Sequence, residues 1–154
     1  GVKQEYVDPV TNERFIPYII ESTYGLDRSV LAFLFEAYTN ETLEDGTTRE
    51  VLKLHPYLSP YKVTVLPLVK KLHGDKATKI TEMLSKSFMT MYDESGSIGK
   101  RYRRSDAIGT PFCITIDDET INNNTVTIRD RDTMKQVTIS VDDIVNYVSD
   151  RIKF

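Results

Sequence analysis

The chain has very few of the residues that build disulfides and metal sites. Its single cysteine, Cys113, cannot form a disulfide within the chain, and its two histidines, His55 and His73, lie too far apart for a zinc-binding spacing. Cys113 lies in the apolar segment TPFCITID, which predicts a small buried core residue. These absences argue against a disulfide-stabilised secreted fold and a zinc module, and they indicate a reducing, cytoplasmic setting with no bound metal.

Long apolar runs and a strong net charge are also missing. No stretch approaches the roughly 18 apolar residues of a membrane-spanning helix, so no membrane partner is expected. The N-terminal GVKQEYVDPV is too polar for a signal peptide and suggests a cut into a longer chain. The net charge is −3, and the second part of the chain is nearly balanced. Any contact with nucleic acid must therefore be confined to a local cluster of cations.

The apolar pattern divides the chain into two parts. RFIPYIIES (14–22) is typical of a strand, and LDRSVLAFLFEAY (26–38) has the apolar spacing of a helix. A polar loop is expected over 39–50. HPYLSPYK (55–62) contains two prolines, which predict an extended linker and a domain boundary.

The second part has the element order β-α-β-α-β-β-β-α, which predicts an α/β fold: a mixed sheet with about three packed helices. Asp75, after Gly74, is the expected start of its first helix. An Asn-rich turn is expected to join two neighbouring strands as a hairpin. The pattern predicts strands at 62–68, 89–93, 110–116, 125–130 and 136–140, and helices at 75–88, 96–109 and 141–152.

The segment ESTYGLDRSVLAFL (21–34) combines a glycine turn with an arginine at a helix start. Gly25 allows a ligand to approach the backbone closely, and Arg28 can bind a phosphate through two hydrogen bonds. A plain ion pair between Asp27 and Arg28 at the helix entrance explains the same residues. The spacing alone leaves both explanations open.

The sequence of this segment resembles motif 3 of class II aminoacyl-tRNA synthetases, in the form found in glycyl-tRNA synthetases. It differs in Ser22, where the family commonly has proline, and in Thr23, where it has serine. Three later blocks are similar to the anticodon-binding domain of the dimeric glycyl-tRNA synthetases, and the resemblance runs from about residue 14 to the C-terminus. The blocks are LPLVKK (66–71), YDESGSIGKRYRRSDAIGTPFCITID (92–117) and TVTIRDRDTMKQV (125–137).

The resemblance implies roles for residues 21–28. Arg28 would be the catalytic arginine that holds the γ-phosphate and pyrophosphate of ATP. Glu21 would accept the α-amino group of glycine, and Thr23 would help to exclude larger amino acids. The implied glycine-binding set is Glu21, Ser22, Thr23, Tyr24 and Gly25. The implied ATP-binding set is Gly25, Leu26, Asp27 and Arg28.

The segment GKRYRR (99–104) holds a cluster of cations. The preceding GSIG matches neither a P-loop nor, since it follows a strand, a KH-type loop. Helix geometry places Lys100, Arg103 and Arg104 on one face, whereas Arg101 lies off it and is expected to pair with an acid such as Asp106. A solvated helix face and a face that binds phosphates of the anticodon arm both remain open.

The charges in TVTIRDRDTMKQV alternate along a predicted strand, so arginines and acids face opposite ways. They form either weak cross-strand ion pairs, or Arg129 or Arg131 contacts a base or phosphate of the anticodon loop. Thr110 is a weaker candidate for RNA contact, and Phe112 is expected in the core.

The sequence thus predicts the C-terminal part of a member of this family. Residues 1–61 would be the end of the catalytic domain with a linker, and residues 62–154 the anticodon-binding domain. The resemblance implies glycine, ATP with Mg²⁺ and glycine tRNA as partners of a cytoplasmic homodimer. The chain shows nothing like motifs 1 and 2, so alone it is expected to be inactive and to bind no cofactor. An accessory nucleic-acid-binding protein with the synthetase fold, or a protein-interaction domain, is the alternative.

Overall fold

A computed structural model describes residues 4–154 of the chain. The strands are β1 Tyr6–Val7, β2 Arg14–Phe15, β3 Tyr38–Thr42, β4 Thr48–Leu52, β5 Val63–Pro67, β6 Thr90–Tyr92, β7 Phe112–Ile116, β8 Thr125–Asp130 and β9 Gln136–Ser140. The helices are α1 Leu26–Ala37, α2 Lys70–Ser85, α3 Ile98–Ala107, α4 Asp118–Asn123 and α5 Ile144–Arg151, the last preceded by a 3₁₀ turn at Val141–Asp143.

The main sheet has five strands in the order β6-β5-β7-β8-β9. β5 pairs in parallel with β6 and β7, and β7, β8 and β9 follow one another antiparallel. Every residue of β5 and of β7 is buried, as expected for central strands that are covered on both faces. The predicted mixed sheet with packed helices is confirmed.

The two faces of this sheet are covered by different helices. Val63 of β5 lies beside Phe112 of β7, and both belong to the main core with apolar residues of α2 and α5. Cys113 and Thr115 point to the opposite face, where Tyr102 of α3 bonds Thr115 through their hydroxyl groups at 2.7 Å. Cys113 is buried, and Phe112 lies in the core, as the sequence predicted.

Residues 39–50 form most of a β-hairpin, so the prediction of a polar loop is wrong. β3 and β4 pair antiparallel over their whole length around a turn at Asp45 and Gly46. Asp45 accepts the N–H of Thr47 at 2.9 Å, and Gly46 has a φ of +79°, which glycine adopts without strain. Arg49 and Val51 alternate toward the interior, and β4 lies against α3. The hairpin therefore packs on the main domain.

Several element ends in the main domain lie two or three residues from their predicted positions, and two places differ more. α2 begins at Lys70 rather than near Asp75, because the ring Nδ1 of His73 accepts the N–H of Val69 at 3.0 Å. The Asn-rich connection between β7 and β8 contains α4, where Asp117 accepts the N–H of Thr120 at 3.2 Å and forms a capping box.

The strand predicted over 14–22 is present only at Arg14–Phe15, where it pairs with β1. Residues 16–25 have no regular secondary structure, because a strand needs a neighbouring strand to satisfy its backbone groups. The apolar side chains of this segment and of α1, such as Ile20, Leu31 and Phe35, are exposed. None of the helices in residues 4–154 has the length and apolar character that crossing a membrane requires.

Candidate nucleic-acid interface

The exposed cations of α3 form the candidate interface. Lys100 and Arg104 are exposed and Arg103 is half-buried, whereas Arg101 is buried. This is the division that helix geometry predicts. The expected pair between Arg101 and Asp106 is wrong: the Arg101 guanidinium donates to the carbonyl oxygens of Pro67, at 2.5 Å, and Gly96, at 2.7 Å.

The three outward cations differ in how far the fold already uses their charge. Arg104 donates to Asp93 at 2.6 and 2.9 Å and to the carbonyl of Ser95 at 2.6 Å. Lys100 has no ion pair or side-chain hydrogen bond within residues 4–154. Arg103 has no ion pair within 4.0 Å among the described residues, but its charge acts on Asp45, whose pKa is lowered mainly by hydrogen bonds from Thr47 and further by this arginine. Lys100 and Arg103 are therefore the cations most available to an anion.

A recess of about 320 Å³ lies between α3 and β4, beside these cations. It is lined by Thr48, Arg49, Glu50, Arg103, Arg104 and Ala107. A second recess of about 410 Å³ is also lined by Arg104, together with Tyr92 and Asp93. Arg104 thus lines both recesses and Arg103 lines the first, so these two cations border concave surfaces.

Arg129 is placed in the interior and not on an outer face of the sheet. It is 7% exposed, and its guanidinium donates to the two carboxylate oxygens of Asp106 at 2.9 and 3.1 Å. It also lies over the ring of Tyr102, with 4.8 Å between the guanidinium carbon and the ring centre. Burial lowers the pKa of Arg129, but the hydrogen bonds and charge of Asp106 outweigh this effect and raise the pKa.

Arg131 and Thr110 are buried as well. Arg131 is 2% exposed and donates to the carbonyl oxygens of Leu52, Leu54 and Gly109 at 2.8 to 3.0 Å, and to Asp132. The hydroxyl of Thr110 is buried and has no hydrogen-bond partner in the described part of the chain. Contact between RNA and Arg129, Arg131 or Thr110 therefore stays a prediction that would require these side chains to leave the interior.

Arg49 is the residue of this region that the sequence did not single out. Its guanidinium bonds Asp106 of α3 and Glu41 of β3, and it is almost fully buried. The β-branched residues in TTREVL were the available signal for a strand, which would place Arg49 and Val51 on one face. The polar composition of residues 39–50 and the Asp45-Gly46 pair favoured a loop instead.

Residues 21–28 lie together on one exposed segment at the start of α1. Thr23 donates through its hydroxyl to Glu21 at 3.0 Å, and the carbonyl of Gly25 accepts both the N–H and the hydroxyl of Ser29 at 3.0 Å. Arg28 is exposed and pairs with no acid in residues 4–154, so the alternative pair with Asp27 is absent there. The other members of the predicted set, Ser22, Tyr24 and Leu26, are exposed too.

No group of three acidic, histidine or cysteine side chains suited to a metal ion occurs within residues 4–154. The Mg²⁺ that the resemblance implies therefore finds no ligand set in this part of the chain.

Comparison with known proteins agrees with the sequence resemblance. Residues 62–151 match the family described as "Anticodon binding domain". Relatives named glycine–tRNA ligase align with the whole chain, at 56% identity in Clostridium tetani and 58% in Geobacillus thermodenitrificans. The chain spans 33% of the length of each of these relatives.

Two solved structures share the fold. The RNA binding domain of threonyl-tRNA synthetase from Cryptosporidium parvum Iowa II has a TM-score of 0.59 and 26% identity, over 64% of this chain and 25% of that chain. Histidyl-tRNA synthetase from Nostoc sp. PCC 7120 has a TM-score of 0.58 and 20% identity, over 65% of this chain and 24% of its own, and supports the fold alone. Because the family match covers more than half of the chain, the chain belongs to the anticodon-binding domain family.

Proposed function

We propose that the chain is the C-terminal third of a glycine–tRNA ligase and that it binds the anticodon arm of glycine tRNA. The observation that carries this proposal is the family match at residues 62–151, together with identity above 50% to glycine–tRNA ligases over the whole chain. The exposed cations of α3 lie within the matched domain, which supports the assignment.

RNA binding is proposed to rest on Lys100, Arg103 and Arg104. Lys100 is unpaired among the described residues, and Arg103 lines the recess beside β4, so both can neutralise phosphates at little cost to the fold. Arg104 retains its bonds to Asp93 and offers the exposed part of its guanidinium. Each phosphate that is neutralised adds about one unit to the salt dependence of binding.

Residues 21–28 are proposed to serve the catalytic site of the whole protein. There, glycine and ATP would form glycyl-adenylate and pyrophosphate, and the glycyl group would then pass to a hydroxyl at the 3′ end of the tRNA with release of AMP. Arg28 is proposed to stabilise the charge on the leaving pyrophosphate, and Glu21 to bind the glycine ammonium. The exposed apolar side of α1 supports this proposal, since a larger domain would cover it. A cytoplasmic homodimer is proposed for the whole protein.

Binding of labelled tRNA to the chain, followed by fluorescence anisotropy at several salt concentrations, tests the proposal. We expect glycine tRNA to bind more tightly than a tRNA for another amino acid, with a negative salt slope. An accessory protein without anticodon recognition would bind both equally, and a protein-interaction domain would bind neither. The chain alone should show no glycine-dependent pyrophosphate exchange, and measurable exchange would refute its assignment as an incomplete ligase.

A further inference from the structure

Arg49 ties the hairpin to the main domain through two groups and bonds a third group within the hairpin. Its Nη1 donates to Asp106 of α3 at 3.0 Å and to the carbonyl oxygen of Arg131 at 2.9 Å, and its Nε donates to Glu41 at 2.8 Å. The side chain is almost fully buried, so water competes little for these bonds. One side chain of β4 thus reaches α3, the segment after β8 and the partner strand β3.

The tie is reciprocal. Arg131, just after β8, donates to the carbonyl oxygens of Leu52, at 3.0 Å, and Leu54, at 2.8 Å, where β4 ends. The backbone at Gly109 also packs closely against the end of β4. A Cβ at this position would lie only 2.9 Å from the carbonyl oxygen of Leu52, so the site has no room for a side chain. The hairpin and the main domain therefore each hold the other's backbone.

The hairpin is also joined directly to α1. α1 ends at Ala37 and β3 begins at Tyr38, with no loop between them. The N–H of Lys53, just after β4, donates to the carbonyl of Ala37 at 2.7 Å and closes this junction. α1 is thus connected to α3 through the hydrogen-bonded hairpin, although the sequence predicted a loop over 39–50.

We propose that Arg49 is a positioning residue that fixes α1, which carries Arg28, relative to α3, which carries the proposed RNA contacts. A tRNA held by its anticodon arm on α3 would then present its acceptor end to the glycine site at a fixed distance. The geometric part rests on the contacts of Arg49 and on the junction of α1 with the hairpin, and its catalytic consequence rests on the proposed function. The single Asp106 carboxylate serves both Arg49 and Arg129, so loss of Arg49 still leaves it paired.

Distances between spin labels test the geometric part in the chain itself. Cys113 is buried, so labels attach selectively to exposed Glu44→Cys in the hairpin and Lys79→Cys on α2. We expect a narrow distance distribution in the parent chain, a broad one in Arg49→Met, and an intermediate width in Arg49→Lys. The control Lys86→Met, an exposed cation at the end of α2, should leave the distribution narrow. A narrow distribution in Arg49→Met would overturn the proposal.

Kinetics of the whole ligase test the consequence. For Arg49→Met we expect kcat/KM for aminoacylation of tRNA to fall about tenfold to a hundredfold. A loss of this size is expected because the acceptor end of the tRNA would no longer be held in position at the glycine site. Glycine-dependent pyrophosphate exchange and affinity for an isolated anticodon stem–loop should change by less than about twofold. Unchanged aminoacylation, or an equal loss of stem–loop affinity, would overturn the positioning role. Failure of the parent enzyme to charge glycine tRNA would refute the proposed function, while the distance measurement would still decide the geometry.

Discussion

Arg129 and Asp106 form a two-point ion pair inside the protein, with Nη1–Oδ1 and Nη2–Oδ2 distances of 2.9 and 3.1 Å. The arginine lies on β8 and the aspartate on α3, so the pair fixes this helix to the sheet. Because Arg49 bonds the same carboxylate, Asp106 is the point where the sheet, the helix and the hairpin meet. These buried charges hold in place the surface that α3 presents.

Replacement of Asp106 by asparagine should destabilise the chain strongly. Asp106 is fully buried, and its loss as a carboxylate leaves the buried guanidinium of Arg129 without its counter-charge and removes one of the two carboxylates paired with Arg49. We expect the free energy of unfolding to fall by about 3 to 5 kcal/mol, as for other broken buried ion pairs. Urea denaturation measures this change. The exposed control Asp142→Asn should change it by less than about 0.5 kcal/mol, and an equal effect of both variants would contradict the prediction.

Removal of the charge should affect tRNA binding at Lys100 and protein stability at Arg129. Lys100→Met should weaken tRNA binding and reduce its salt slope by about one unit, with unfolding unchanged, because the side chain is exposed and unpaired among the described residues. Arg129→Met should lower stability, yet leave the salt slope of the folded protein unchanged. Binding titrations at several salt concentrations decide this. A reduced slope in Arg129→Met would show that this residue contacts phosphate.

The main domain was largely predictable from sequence because its elements carry strong local signals. The run KVTVLPL predicts a buried strand, TPFCITI another, and VDDIVNYVSDRI an amphipathic helix, and all three are present. Helix geometry alone also separated Arg101 from the outward cations of α3.

The partners of the arginines were not predictable, because they lie far away along the chain. Arg131 bonds carbonyl groups at Leu52 and Leu54, and Arg49 bonds Asp106. Local alternation of charge could not distinguish these buried contacts from an exposed RNA-binding face. The prediction of a strand over 14–22 failed for a related reason. The segment is apolar, but in the described part of the chain only Arg14–Phe15 has a strand to pair with.

Cys113 should be unreactive in the folded chain. It is buried on the sheet under α3, and burial raises the pKa of its thiol to about 12, so little thiolate exists near neutral pH. We expect Ellman's reagent at about pH 8 to modify it only at the rate of unfolding, and rapidly in denaturant. Immediate stoichiometric reaction of the native chain would contradict the buried placement.

Glu41 should contribute to stability in a pH-dependent way. Its hydrogen bond from Lys53 lowers its pKa, burial partly opposes this, and Arg49 lowers the pKa further. Since the folded pKa lies below the unfolded value of about 4.5, its contribution is complete above that pH. The contribution is lost as the pH falls through the folded pKa.

The variant Glu41→Gln should therefore flatten the decline of unfolding free energy below about pH 4.5. Denaturation at several pH values measures the slope. Glu50→Gln, an exposed carboxylate in the same hairpin without an ion pair among the described residues, should keep the parent slope. An unchanged slope in Glu41→Gln would contradict the prediction.

The most direct test of anticodon recognition is the affinity of this chain for the isolated anticodon stem–loop of glycine tRNA, compared with the same stem–loop carrying substituted anticodon bases. If the cation face of α3 holds an anticodon arm for base recognition, the native stem–loop binds at least about tenfold more tightly, a difference of about 1.4 kcal/mol. Equal affinity for the two stem–loops would contradict the account.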